Sequence, residues 1–138
     1  KHIDNGGIHP KLTGSFHQRL LTIHKGISDL IISFKPEVVA IENIFHGKNI
    51  QSMIKLGEAR GAALLAVLQT GLEVFEYSPT QVKQALTGYG RAGKEQIQLM
   101  TRRLLNLPEI AMTDASDALA LAICHLQSYK FHAKQKNI

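Results

Sequence analysis

Apolar residues fall at Phe16, Leu20, Ile23, Ile27, Leu30, Ile31 and Phe34, a spacing of three and four that lines up one stripe of a long helix. Thr13 and Ser15 precede it as N-cap candidates, and Lys35-Pro36 ends it, because the residue before a proline leaves the α region. Val38-Val39-Ala40-Ile41 shows no polar alternation, as expected of a short strand covered on both faces. Helical spacing returns from Asn49 to Gln69, with Ile50, Met53, Ile54, Leu64, Leu65 and Leu68 apolar. Gly57, Ala59, Gly61, Ala62 and Ala63 in its middle allow close approach, which suits either a tightly packed core helix or a dimer face. Gly71 stops this helix, and Val74, Phe75 and Tyr77 mark a strand within Leu72 to Tyr77. Ser78-Pro79 then opens a third helix that carries Val82, Ala85 and Leu86 as far as Gly88.

A fourth helix is predicted over Glu95 to Asn106, with Ile97, Met100, Leu104 and Leu105 on its apolar side. Leu107-Pro108 separates it from a last helix beginning at Thr113, whose apolar face is read as Ala115, Ala118, Leu119, Ala122, Ile123 and Leu126. Near the start, Asn5-Gly6-Gly7 before Ile8 reads as a turn entering or interrupting a short strand. Strands and helices alternate without repeats or linkers, which predicts an α/β or α+β layered domain over residues 1–128. Residues 129–138, with Lys130, Lys134 and Lys136, read as a frayed basic tail.

A length of 138 residues with 44% hydrophobic and 20% charged residues suits one domain with its own core. The net charge of +5 suits a polyanionic partner, although a merely basic surface explains it equally well. A single cysteine, Cys124, excludes an internal disulfide, and its apolar neighbours make it a small buried hydrophobe rather than a nucleophile. That usage points to a reducing cytosol. No apolar run approaches the roughly 20 residues of a membrane span, so a cytoplasmic location without membrane contact is expected. The first residue is Lys1 rather than Met, which leads to the expectation of a fragment.

Candidate chemistry begins with Asp114 and Asp117. Three positions apart on a helix, they face the same side and could share a divalent cation, but acids near a helix start also serve as caps and meet the positive end of the dipole. Glu42 sits at the carboxyl end of the first predicted strand, where ligands gather in open α/β sheets. Gly88-Tyr89-Gly90-Arg91-Ala92-Gly93-Lys94, preceded by Lys83 and running into a helix, could cradle a phosphate through backbone N–H groups and cations. Its spacing matches neither a Walker A loop nor a dinucleotide fingerprint.

Four stretches taken together carry a resemblance: Ala40-Ile41-Glu42-Asn43-Ile44-Phe45, Lys55-Leu56-Gly57-Glu58-Ala59-Arg60-Gly61, Val82 to Gly88 through Lys94-Glu95-Gln96, and Asp114-Ala115-Ser116-Asp117-Ala118-Leu119-Ala120. In order and content the chain resembles the bacterial RuvC family of Holliday junction endonucleases over residues 3–127. The resemblance implies an RNase H-like fold, a mixed β-sheet flanked by α-helices. It also implies a twofold homodimer, two Mg²⁺ (or Mn²⁺) ions per active site, symmetric nicking of four-way junction DNA, and an association with the RuvA and RuvB branch-migration proteins. Glu42, Asp114 and Asp117 match three of the family's four metal-binding acids. Phe45 matches an aromatic near the junction centre, though taken alone it reads as an ordinary core residue. Lys83, Arg91 and Lys94 are implied phosphate contacts, with Arg91 departing from the family's pattern.

The fourth acid ends the family's first strand in an Ile-Asp-Pro-Gly motif. Ile3-Asp4-Asn5-Gly6 looks similar, but Gly7-Ile8 and the following helix align with the family's second strand and first helix. The expectation is therefore that the first strand and its acid are missing and that these residues alone bind junctions without cutting them. Two further readings stay open: a junction-binding module without catalysis, and another RNase H-like nuclease such as a transposase or an RNA-directed enzyme.

Overall fold

Local capping chemistry sets where the elements of this computed structural model begin, and the structure describes residues 1–43 and 48–136, with side chains as far as Lys130. Helix α1 covers Phe16–Phe34, and of the two cap candidates Ser15 is the one used: its hydroxyl accepts the Gln18 N–H while the Gln18 side chain accepts the Ser15 N–H, each at 3.2 Å. Strand β1, Val38–Glu42, follows Lys35 and Pro36. Helix α2, Ile50–Leu68, is capped by Asn49, whose side chain accepts the Ser52 N–H at 2.9 Å. Strand β2 is Glu73–Tyr77, and helix α3, Pro79–Thr87, has a second reciprocal cap between Ser78 and Gln81 with Pro79 in its first turn. Gly88 ends α3 at φ 72°, a left-handed conformation that glycine adopts without strain. Helices α4, Lys94–Leu105, and α5, Thr113–Lys136, complete the order.

The sheet has two strands, β1 and β2, parallel and joined through α2, and the Asn43 N–H continues their pairing by donating to the Tyr77 carbonyl at 2.8 Å. The predicted strand near Ile8 does not form: residues 1–15 contain no helix or strand. A strand exists only where a neighbour completes its ladder, and among the described residues β1 and β2 pair only with each other. Helix α5 continues through Tyr129, where the basic tail was expected to start. Its sequence from Thr113 to Lys136 holds no glycine or proline to stop it, and lysine is a good helix former. Among the described residues no helix is long and apolar enough to cross a membrane.

The chain divides into two compact units, one of residues 1–7, 40–43 and 76–138 and the other of residues 8–39 and 44–75. In the second, α1 packs on α2. Gly26 gives Ile8 room, since a Cβ there would lie 2.7 Å from the Ile8 Cδ1. The Phe16 ring is flanked by Arg19 and Lys55, at 5.3 and 5.8 Å from its centroid. Ala66 and Val67 are the buried residues of α2, whereas Ile50, Met53, Ile54, Leu65 and Leu68 are exposed. Gly57 and Gly61 have nothing within 4 Å of where a Cβ would stand. Gly57 and Gly61 therefore do not mark close packing among the described residues.

The first unit holds a core of Val82, Leu86, Ala92, Ile97, Ala120, Leu121, Ile123 and Cys124, against which Ala40 and Tyr77 pack from the strands. The buried face of α5 is turned from the one read in the sequence. Ala115, Ser116, Ala120, Ile123 and Cys124 are buried, while Ala118, Ala122 and Leu126 are exposed. A helix apolar on nearly every side gives no periodicity to distinguish its faces, so packing against α3 and α4 decides.

Candidate active site

Three helix starts and one strand end converge on a cleft of about 210 Å³ in the first unit. Glu42 enters it from the end of β1, Lys83 from α3, Lys94 from the first residue of α4 and Asp117 from the second turn of α5. Its apolar walls are Pro79, Val82, Ile97 and Ala120. Spacing explains the arrangement. Lys94 and Ile97, like Asp117 and Ala120, are three residues apart on one helix face, so the apolar member anchors in the core and fixes the polar member at the rim.

The two carboxylates are in electrostatic tension. Burial pushes the Glu42 carboxyl above its ordinary value of 4.5, the neighbouring Asp117 charge pushes it further, and Lys83 opposes both. Lys94 Nζ lies 3.9 Å from Asp117 Oδ2, and both side chains are about half exposed, at 62% and 49%. An ion pair so open to water contributes little to stability and leaves Lys94 able to exchange its partner for another anion.

The glycine loop connects α3 directly to α4. Gly90 passes close over the start of α3, where a Cβ would meet the Thr80 Cγ2 at 2.9 Å, and buried Ala92 pins the loop to the core. Gly93 caps α4 without a side-chain hydrogen bond, so no side-chain oxygen covers the first N–H groups beside Lys94.

Of the residues singled out in the sequence, the structure brings together Glu42, Lys83, Lys94 and Asp117. Asp114 is exposed in the first turn of α5 and does not line the cleft, and exposed Arg91 lies in the turn before α4. Phe45 and His46 lie outside the described residues. Among the described residues no group of three His, Cys, Asp or Glu side chains is placed to hold a metal. Glu42 and Asp117 do fit one hard cation, which takes one or two carboxylates and completes its shell with water and phosphate. Burial raises the Cys124 thiol, as suits a packed rather than a nucleophilic sulfur. Sequence reasoning missed Tyr77 and His125, which share a hydrogen bond of 2.8 Å between the end of β2 and α5. A strand-end tyrosine and a histidine in an apolar run were the available signals.

The family model for crossover junction endodeoxyribonuclease RuvC matches residues 1–125. The chain belongs to the RuvC family. A RuvC relative from Citrifermentans bemidjiense is 53% identical over 137 residues, covering 99% of this chain and 84% of the relative. Another from Geobacter sulfurreducens is 53% identical over 127 residues, covering 92% of this chain and 77% of the relative. The structure of Thermus thermophilus RuvC in complex with a Holliday junction substrate matches at a TM-score of 0.85 and 35% identity, over 91% of this chain and 76% of that one. A second Thermus thermophilus RuvC structure matches at a TM-score of 0.81. The expected RNase H-like α/β fold is thereby established.

The raised Glu42 pKa makes a stability prediction for this RuvC chain. Because the folded value lies above the unfolded 4.5, the folded chain binds more protons between the two, and stability falls as pH rises through that window. Glu42→Gln removes the charge and should raise the melting temperature at pH 7. The gain should shrink below pH 4.5, where the parent's carboxyl is protonated whether folded or not. Thermal unfolding of both proteins across this pH range checks it, and a melting temperature at pH 7 unchanged by Glu42→Gln would contradict it.

Proposed function

We propose that this chain is a junction-resolving endonuclease that hydrolyses phosphodiester bonds of four-way junction DNA at the Glu42–Asp117 cleft. One observation carries the reading: two carboxylates distant in sequence, Glu42 and Asp117, line one cleft with Lys83 and Lys94, and burial together with the Asp117 charge raises the Glu42 carboxyl. Paired acids of this kind attract a divalent cation, and flanking lysines attract phosphate. Membership of the RuvC family and the likeness to a relative solved with a junction substrate support the choice of DNA.

Glu42 and Asp117 are the proposed ligands; Asp114, one turn earlier on α5, is the third acid that the family resemblance implies and stands outside the cleft lining. Mg²⁺ is the proposed ion, with Mn²⁺ able to replace it; when bound it stabilises the charge that develops on attacking and leaving oxygens. A pair of ions, as the family resemblance implies, needs more carboxylates than the described residues gather. Lys83 and Lys94 neutralise the phosphates and hold the strand over the acids. Arg91 extends the basic edge from the loop, and Phe45 is assigned to the junction centre. Symmetric nicking needs two clefts, so a homodimer is proposed, and the exposed stripe of α2 from Ile50 to Leu68 has the apolar character of a surface for a second copy. Association with RuvA and RuvB and a cytoplasmic location complete the proposal. A junction-binding role without cutting is the second reading, favoured by the absence of a third clustered acid among the described residues.

In a form that nicks junctions, Asp117→Asn should abolish metal-dependent cutting and leave junction binding intact or tighter, since it removes negative charge beside a phosphate at constant size. Nicking within a few fold of the parent would reduce Asp117 to a surface residue. Lys83→Ala and Lys94→Ala should each weaken junction binding and reduce the slope of log affinity against log salt by about 0.9. Unchanged slopes in both would assign the lysines to solvated surface. On the second reading, residues 1–138 should bind a four-way junction without cutting it in Mg²⁺ or Mn²⁺. Symmetric nicking by these residues would favour complete catalysis and reinstate Asp4 as a ligand.

A further inference from the structure

We infer that Tyr77 and His125 are a positioning pair that fixes where Glu42 stands relative to Asp117, an inference that rests on the cation site proposed above. Tyr77 is the last residue of β2, and its carbonyl accepts the N–H of Asn43, the neighbour of Glu42, at 2.8 Å. The end of β2 thus holds the backbone from which Glu42 projects. The Tyr77 side chain reaches the other acid-bearing element. Its hydroxyl shares a 2.8 Å hydrogen bond with the Nδ1 of His125 on α5, and the two rings meet edge to face with centroids 5.9 Å apart. His125 is only 6% exposed, with the Tyr129 ring tilted against it at 5.9 Å. Eight residues separate it from Asp117, about 12 Å of axial rise along the same rigid helix. One side chain therefore ties the backbone next to Glu42 to the helix that carries Asp117.

Apolar packing alone does not supply this register. The core that joins α3, α4 and α5 is built of aliphatic side chains, whose contacts are non-directional and tolerate small slides. A short hydrogen bond between a buried histidine and a half-buried tyrosine has one good geometry, and a buried polar group left unpaired would carry a desolvation cost. Two carboxylates that share one cation have to be held to within about 0.5 Å, which is the tolerance such a bond enforces. A phenylalanine would fill nearly the same space as Tyr77, so the hydroxyl is the part that carries the role.

The test compares the 138-residue parent with Tyr77→Phe, His125→Ala, His125→Asn and Asp117→Asn. Asparagine places a polar side-chain atom near the position of Nδ1 and so serves as the conservative rescue. Mn²⁺ affinity is read by titration calorimetry, four-way junction affinity in EDTA, and folding by circular dichroism. Tyr77→Phe and His125→Ala should weaken Mn²⁺ binding about tenfold, the lower end of what removing a ligand-orienting partner costs. Junction affinity in EDTA should stay within twofold, and His125→Asn should recover most of the Mn²⁺ affinity. If Tyr77→Phe does not fold, the Ala and Asn variants at His125 decide alone. Mn²⁺ affinity within twofold of the parent in both weakening variants, while Asp117→Asn abolishes it, would overturn the positioning role and leave the cation site standing. Equal loss of Mn²⁺ and junction binding without rescue by asparagine would also overturn it, by showing a purely structural contact. Mn²⁺ binding by the parent that Asp117→Asn does not weaken would remove the cation site itself, and with it this role.

Discussion

Two like charges held in one cleft are the constraint around which the first unit is built. Glu42 and Asp117 repel each other in a partly desolvated space, so neither would stay there unless its supporting element were fixed by forces stronger than that repulsion. Glu42 is fixed by the pairing of β1 with β2, and Asp117 by a helix whose next turn is buried at Ala120. The lysines balance the pair without cancelling it. Lys83 lowers the Glu42 pKa less than burial and Asp117 raise it, and Lys94 meets Asp117 at a long, open 3.9 Å. The folded chain therefore retains an unmet preference for positive charge at this point. That preference costs stability and is the physical basis of the cation site proposed at Glu42 and Asp117.

The loop between α3 and α4 shows how local backbone chemistry serves the same cleft. Gly88 turns the chain through a left-handed conformation, Gly90 lets it pass tightly against Thr80, and Gly93 begins the next helix without a capping side chain. A side chain at each position would have a different effect: strain at Gly88, collision at Gly90, and competition for the helix N–H groups at Gly93. The outcome is that Lys94 emerges at a helix start whose dipole and N–H groups add to its charge.

Much of this was legible in the sequence because it is written in short-range chemistry. Ser15, Asn49, Ser78 and Gly88 each mark an element boundary through a hydrogen bond or conformation that spans at most four residues. Glu42, Lys83, Lys94 and Asp117 were recognisable as charged residues at element ends, and they do share one cleft. Legibility failed where a long-range partner decides the outcome. Ile8 has strand character but no strand beside it, and α5 is too uniformly apolar for periodicity to reveal which face meets α3 and α4. Tyr77 and His125 were invisible for the same reason, since 48 residues separate the two ends of their hydrogen bond.

Helix α2 presents the opposite case, a pattern that is clear in sequence and has no packing partner among the described residues. Ile50, Met53, Ile54, Leu65 and Leu68 fall within one stripe with Gly57 and Gly61 between them, and the described residues leave that stripe exposed. Each large side chain taken out of water contributes about 1.5–3 kcal/mol, whereas association itself costs at least about 4 kcal/mol, so one such residue could not hold a partner. A stripe of this length can. The open glycines matter as much as the large side chains, because they would let a facing helix approach until the flanking side chains interlock rather than merely touch. The twofold arrangement proposed above would use the same stripe twice and bury it on both copies, one cleft then serving each of two strands.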